Sequence, residues 1–365
     1  MASQPAIILS GASGVLGTAL VSALGRSFPG MPVFCLLRTR TAFEKLRNSL
    51  GESPSALIYV ECDLSSDIST HQALSAIGYS EHAIGIHAAA DVSWDKTTAE
   101  LMNINVTGSL RFYQLLKSCA SYPRMIYIST AYADSQQAFR NGYEESKYLA
   151  QCCLTKQAST DNIPLSLFSC SLVVGDSRSG AISGYNGIYP LLRFLTRFTP
   201  PFMVGDAQVA LDLVPVDWVI QQLLVLFNEQ LAGEAPREVI AAAGAENKIT
   251  FLQLLRLAES RLNAYYRTHN ISQIEETPII SLRRWNFLRR SLTTWKPEQL
   301  SLRDFRAFEK ILSIYGVYFT SDYVRHPLGI STQSPHPDTY IDNIISYWIH
   351  DHHDELLNHA NKDSQ

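Results

Sequence analysis

No stretch of this 365-residue chain approaches the roughly 18 uninterrupted apolar residues that a membrane-crossing helix needs, so no integral membrane segment is expected. An excess of basic charge is also missing. The formal net charge is −4, without the basic face that a nucleic-acid binder carries. The six cysteines (Cys35, Cys62, Cys119, Cys152, Cys153, Cys170) form no CxxC and no repeated spacing. They read as reduced, mostly buried small hydrophobes of a cytoplasmic protein. The opening residues, MASQPAIILSGASG, lack a basic segment and a long apolar run, and no secretory signal is expected. Internal repeats and low-complexity tracts are absent. What remains is a globular composition, 46% hydrophobic and 18% charged, on a chain long enough for a large core and two lobes.

The first half alternates short apolar runs with helical patterns. AIILS (6–10), PVFCLLR (32–38), ALIYVEC (56–62), AIGIHAA (83–89), RMIYIST (124–130) and PLSLFSCSLVV (164–174) read as strands. Helical patterns over 15–26, 41–50, 69–77, 98–120 and 143–157 separate most of them. This rhythm predicts an α/β fold with a parallel sheet covered by helices on both faces, and the near-continuous hydrophobicity of the strands fits burial on both sides. After Gly175 the pattern changes to a polar, Gly/Ser-rich loop (176–187) and an amphipathic helix (188–198). A helix over 214–231 follows, entered at Pro215 with Asp217 in its first turn, and then a last strand, EVIAAAG (238–244). Helices dominate from residue 250, with a charged interruption at 283–299.

SGASGVLG (10–17) joins the first strand to the first helix. Gly11 permits a tight turn, Gly14 a close approach of backbone to pyrophosphate, and Gly17 close packing of helix on strand. Ser13, Val15 and Leu16 complete the loop, and the helix N-terminus turns its N–H groups toward an anion. The spacing is GxxGxxG rather than GxGxxG, so position as much as pattern points to a dinucleotide site. The second strand ends in Leu37-Arg38-Thr39-Arg40, where an acidic residue would hold a ribose 2′-hydroxyl. A guanidinium suits a 2′-phosphate, which favours NADPH over NADH, with Arg38 the contact. Asp63 and Leu64, after the third strand, fall near the adenine; a helix-capping role for Asp63 is the plainer alternative.

Tyr143-x-x-x-Lys147 lies at the start of a helix. Residues four apart share a helical face, so the pair alone decides nothing. Its context does: GASGVLG, CDL (62–64), HAAADVSW (87–94), NVTG (105–108), STAY (129–132) and the Tyr–Lys pair occur in the order and spacing of extended short-chain dehydrogenase/reductases. SLVVGDSRSG (171–180) and LDLVPVDWV (211–219) resemble, more narrowly, the thioester-reductase and fatty-acyl-CoA-reductase branch, whose NAD-binding domain is of the male-sterility type. The resemblance covers about residues 6–225. It implies a Rossmann doubly wound sheet with a smaller, mostly helical C-terminal substrate lobe, divided as 1–245, with an excursion over 176–212, and 246–365. It also implies roles. Tyr143 is the general acid; Lys147 binds the nicotinamide ribose and lowers the tyrosine pKa; Thr130, with Ser129 as the neighbouring choice, orients the carbonyl. Ala88, Ala89 and Asn105 wall the cofactor, and Val174 with Gly175 covers the nicotinamide. Two departures stand out. Ser169 and Cys170 occupy positions where the family often has Arg-Pro, and the segment between Thr130 and Tyr143 is short.

The activity implied is NADPH-dependent reduction of an acyl thioester, from CoA or an acyl carrier protein, to an aldehyde, with a second round to the alcohol left open. Secondary metabolism is the setting the branch implies. The rival readings are a carbonyl reductase or alcohol dehydrogenase acting on a free small molecule, and a non-catalytic cofactor-sensing protein. Two further clusters attract attention. LRRWNFLRRSL (282–292) reads as an amphipathic helix with snorkelling arginines, as a membrane-surface helix, or as a docking site for an acidic carrier. HDHHDELLNH (350–359) has ligand-type residues, but reads as a solvated helix end, and no metal ligands are assigned. His87 reads as structural.

Overall fold

The computed structural model describes residues 5–50, 56–198, 200–292, 302–321 and 324–362. Its contacts separate two compact units. The first comprises Met1–Ser171, Val216–Ala242 and His326–Gln333; the second comprises Leu172–Pro215, Ala243–Arg325 and Ser334–Gln365.

In the first unit β1 (Ala6–Ser10), α1 (Val15–Ser27), β2 (Pro32–Leu37), α2 (Arg40–Ser49), β3 (Ala56–Glu61), α3 (Asp67–Ile77) and β4 (Ser80–His87) alternate strictly. They lead into α4 (Thr98–Leu101), a π-helical segment Met102–Thr107, α5 (Gly108–Cys119), β5 (Ala120–Thr130), α6 (Gly142–Asp161) and β6 (Leu165–Cys170). A helix Val216–Leu231 and a strand Glu238–Ala241 close the unit. All seven strands pair in parallel in the order β3-β2-β1-β4-β5-β6, then Glu238–Ala241. This is the doubly wound order, whose direction reverses between β1 and β4. Every residue of β1 is buried, as the unbroken apolar run predicts for a central parallel strand. On one side of the sheet Ile8, Val60, Phe112, Tyr113, Leu116, Met125 and Leu154 form the core. Helix starts are fixed by side chains: Thr39 caps α2, Ser66 caps α3, Thr97 with Glu100 forms a capping box on α4, and Asn141 caps α6.

The second unit is mostly helical, with helices Tyr189–Phe198, Phe251–Thr268, Leu282–Leu292, Leu302–Tyr318, Ile341–Asp351 and His353–Lys362. Its fully buried large side chains include Tyr189, Phe194, Phe251, Trp285, Phe319 and Trp348. Among the described residues no helix is long and apolar enough to cross a membrane.

The structure departs from the sequence reading in three places. The apolar run 164–174 is two strands, not one. Ser171 N–H still donates to Ala241, in the ladder beside β6, whereas Leu172 N–H donates to Asp212 and begins the pairing of Leu172–Val174 with Leu213–Pro215. The helix expected over 214–231 starts at Val216, because Val214 and Pro215 belong to that pairing. The helix expected over 98–120 is interrupted by the π segment.

Candidate active site

The carboxyl ends of β1 and β4 meet at the loop Gly11–Gly14. Gly11 has φ +74°, and a Cβ there would lie 2.6 Å from the Ala88 carbonyl carbon and from the Ala89 nitrogen. The loop therefore presses against Ala88 and Ala89 with only backbone between. A Cβ on Gly17 would run into the Gly11 carbonyl and lie 2.7 Å from the Ala12 Cα. Gly14 differs. It is the N-cap of α1 without a side-chain cap, and a Cβ there would meet only the Gly11 carbonyl, at 3.3 Å. Ser13 and Gly14 are exposed, and Val15 and Leu16 are partly buried. With no capping side chain and no acid in the first turn, the leading N–H groups of α1 are left to an anion.

Beyond β2, Arg38 and Arg40 part company. Arg40 is paired with Glu44 at 2.9 Å and its guanidinium stands over Phe43 and Tyr59. Arg38 is exposed, and its charge helps hold the Asp63 carboxyl below the usual range. The larger causes of that lowering are hydrogen bonds from the Ser65 N–H and hydroxyl, at 2.9 and 2.7 Å. Leu64 is buried, and its carbonyl accepts from Arg111 at 3.1 Å. Arg38 and Asp63 thus lie together past the ends of β2 and β3.

At the end of β5 the two hydroxyls diverge. Ser129 donates to Gln151 of α6 at 2.7 Å, while Thr130 only accepts the Tyr132 N–H, at 3.4 Å. Thr130 is the one left for a ligand. Tyr143, half-buried in the first turn of α6, has its pKa pushed above the tyrosine range by burial first, then by Cys170 and Glu144. Lys147 is buried; it donates to the Ile128 carbonyl at 2.7 Å and lies 4.2 Å from the centre of the Tyr127 ring. Burial draws its pKa down to about 7, with Cys170 opposing. The lowering of the Tyr143 pKa by Lys147 expected from sequence is therefore not seen. Burial works against the charge of the lysine, whose ammonium is engaged by Ile128, and burial likewise favours the protonated form of Tyr143.

Asn105 is fully engaged inside the π segment. It accepts the Asp91 N–H at 2.8 Å, and donates to the Asp91 carbonyl at 3.0 Å and to Ser146 at 2.9 Å. It braces the loop after β4 against the residue next to Lys147. His87 carries a second brace. Ser109 donates its hydrogen to the Asn105 carbonyl, so His87 Nε2 donates to Ser109 and Nδ1 accepts from Ser10 at 2.6 Å. The ring stacks on Phe112 and Tyr127, and burial pushes its pKa well below the ordinary value, so it stays neutral. Sequence reasoning missed Ser10, Asp91, Ser109 and Ser146. Only Ser146, polar on the inner face of a helix beside Lys147, offered a signal.

Val174 lies in the second unit, fully buried and paired with Pro215. In that unit the helix Leu282–Leu292 is amphipathic, with Trp285 buried, and Arg283, Arg284 and Phe287 exposed. The rest of the charged stretch 283–299 runs outside the described residues. The helix end over 350–359 is broken at His352. His353 bonds Tyr265 at 2.7 Å, Glu355 pairs with Arg193 at 2.9 Å and Asp351 accepts from Tyr185 at 2.7 Å. The His359 side chain lies outside the described residues.

A family model described as male sterility protein, of the NAD-binding kind, matches residues 9–223. A Drosophila melanogaster protein named as a fatty acyl-CoA reductase is 22% identical over an alignment 346 positions long, gaps included, that covers 77% of this chain. The chain spans only 62% of that relative's length. Among solved structures, the terminal R domain of the myxalamid PKS-NRPS pathway superposes with TM-score 0.68 at 17% identity, covering 96% of this chain and 91% of that one. A thiolation-reductase di-domain from an archaeal nonribosomal peptide synthetase gives 0.63 at 16%, covering 97% and 76%. A UDP-glucose 4-epimerase from Bifidobacterium longum, in complex with NAD+ and UDP, gives 0.64 at 12%, covering 96% and 98%. At these identities the structural likenesses establish the fold.

Proposed function

The chain belongs to the NAD-binding male sterility protein family, and from that premise we propose that it is an NADPH-dependent reductase of acyl thioesters. The observation that carries the reading is the set Thr130, Tyr143 and Lys147, gathered at the carboxyl end of β5 and the start of α6 within the matched span. The glycine loop and the uncapped start of α1 fit the pyrophosphate of a dinucleotide. Arg38, exposed beside Asp63 where no acidic residue ends β2, fits a 2′-phosphate. Bound there, the nicotinamide supplies a hydride.

The chain's own residues do the rest. Thr130 and Tyr143 donate hydrogen bonds to the thioester oxygen, where negative charge develops. Tyr143, kept protonated by its burial, gives up its phenolic proton to that oxygen; Lys147 orients the ribose. Collapse of the hemithioacetal releases an aldehyde and a thiol. We assign acyl binding to 246–365 with the excursion 176–212. The exposed Arg283, Arg284 and Phe287 suit an acidic acyl carrier, with acyl-CoA as the other delivery. Reduction onward to the alcohol, a place in secondary metabolism and a cytoplasmic setting complete the proposal.

The test is NADPH consumption with acyl-CoA, with a free aldehyde or ketone, and with neither, followed by product analysis. Thioester-dependent consumption yielding aldehyde or alcohol, with NADH a poorer donor that gains on NADPH in Arg38→Ala, supports the reading. Turnover of free carbonyls alone replaces it with the carbonyl-reductase reading.

A further inference from the structure

Between Thr130 and Tyr143 the chain leaves the sheet and returns to a helix through residues 131–142. The tip, residues 135–138, is exposed, but both limbs are tied down. On the outgoing limb Tyr132 is buried and its N–H reaches the Thr130 hydroxyl. On the return limb Phe139 packs on Tyr148 of α6, ring centres 5.4 Å apart. Next comes an ion pair, Arg140 with Glu144, whose side chains are only 4% and 3% exposed. Arg140 gives Glu144 its backbone N–H at 2.9 Å and its Nε at 2.8 Å, and Nη2 stands 2.6 Å from the carboxylate in the ion pair. The same guanidinium lies 4.2 Å from the centre of the Tyr132 ring. The Glu144 N–H, for its part, is capped by the Asn141 side chain at 3.0 Å.

The pair thus links Tyr132, two residues past Thr130, to Glu144, the residue after Tyr143. Its location argues against a stabilising role. Desolvating two charges costs several kcal/mol, and well-packed apolar replacements of such pairs are often as stable or more so. What a buried ion pair with two hydrogen bonds supplies is a single geometry.

Resting on the reading that Thr130 and Tyr143 meet the acyl oxygen, we infer that Arg140–Glu144 is a positioning clamp. It locks Tyr132 and the first turn of α6 together, so that both hydroxyls are set before the substrate arrives. The short connection is on this account a rigid support for the two hydroxyls. Neither residue is catalytic; both act through Tyr143 and Thr130.

The test compares wild type, Arg140→Ala and the double variant Arg140→Met with Glu144→Leu, which keeps apolar volume and is expected to fold. Hydrogen exchange is followed over residues 131–146. Kinetics are measured with the acyl-CoA that wild type turns over fastest and NADPH affinity by fluorescence titration. The clamp predicts faster exchange in this segment in both variants. It also predicts kcat down about 10- to 100-fold, the cost of displaced reacting groups, with KM and NADPH affinity held within about threefold, and partial recovery of Arg140→Ala by ethylguanidinium. Wild-type exchange in the double variant overturns it, whether or not the enzyme is active, and so does a wild-type kcat. A wild-type protein that turns over no thioester and no carbonyl sinks the functional reading instead, and the exchange result still decides the clamp.

Discussion

Lys147 carries the sharpest residue-scale consequence. Its folded pKa of about 7 lies below the ordinary lysine value, so between these the unfolded chain binds more protons than the folded one. Stability from this group then rises with pH, starting near 7. From pH 7 to 9 the gain is about 2 kcal/mol for an isolated buried lysine with these values. The buried thiols Cys35, Cys62, Cys119 and Cys170, whose pKa values burial raises, act in the opposite direction once pH passes the ordinary thiol range of about 8.5, and so offset the gain toward pH 9. Cofactor-free protein should therefore gain stability from pH 7 to about 8, and Lys147→Met should lose that part of the slope, as read by urea unfolding at three pH values across this window. Equal slopes would mean that the lysine keeps its charge. The Tyr–Lys spacing was legible in the sequence. The surroundings of the lysine were not, because the Ile128 carbonyl and the Tyr127 face belong to β5, and only the fold sets that strand against α6.

At the scale of elements, the β1–loop–α1 unit could be read directly, because glycine spacing and the apolar run are local signals. Gly14 and Gly17 were given different duties, and the structure separates them by what a methyl group would meet. Gly17→Ala collides with backbone and should cost about 1–3 kcal/mol of stability, together with NADPH binding. Gly14→Ala should melt near wild type yet bind NADPH more weakly. Thermal melts with and without NADPH distinguish the two; equal destabilisation would refute the division. Other element boundaries were hidden. PLSLFSCSLVV is apolar throughout, so nothing local marks Ser171 as the point where the hydrogen-bond partner changes. The π segment at Met102–Thr107 is revealed only by its backbone bonding, as where the Gly108 N–H donates to the Asn103 carbonyl five residues back.

On the scale of the whole molecule, strict alternation of strands and helices pointed to a parallel sheet covered on both faces, and the doubly wound order came with the family resemblance. The second unit was far less legible. Its amphipathic helices do not specify partners, and its short ladders of two or three residues carry no periodicity. The chemistry is therefore argued from the first unit, and it makes one central claim: Tyr143 protonates a thioester oxygen as a thiol leaves. Single-turnover NADPH oxidation with acyl-CoA, with released thiol quantified in wild type and Tyr143→Phe, tests it most directly. The account predicts one thiol per hydride consumed to the aldehyde stage, and a loss of about 100-fold or more in the variant with NADPH binding intact. NADPH oxidation without thiol release, or thiol release undiminished in Tyr143→Phe, would contradict it.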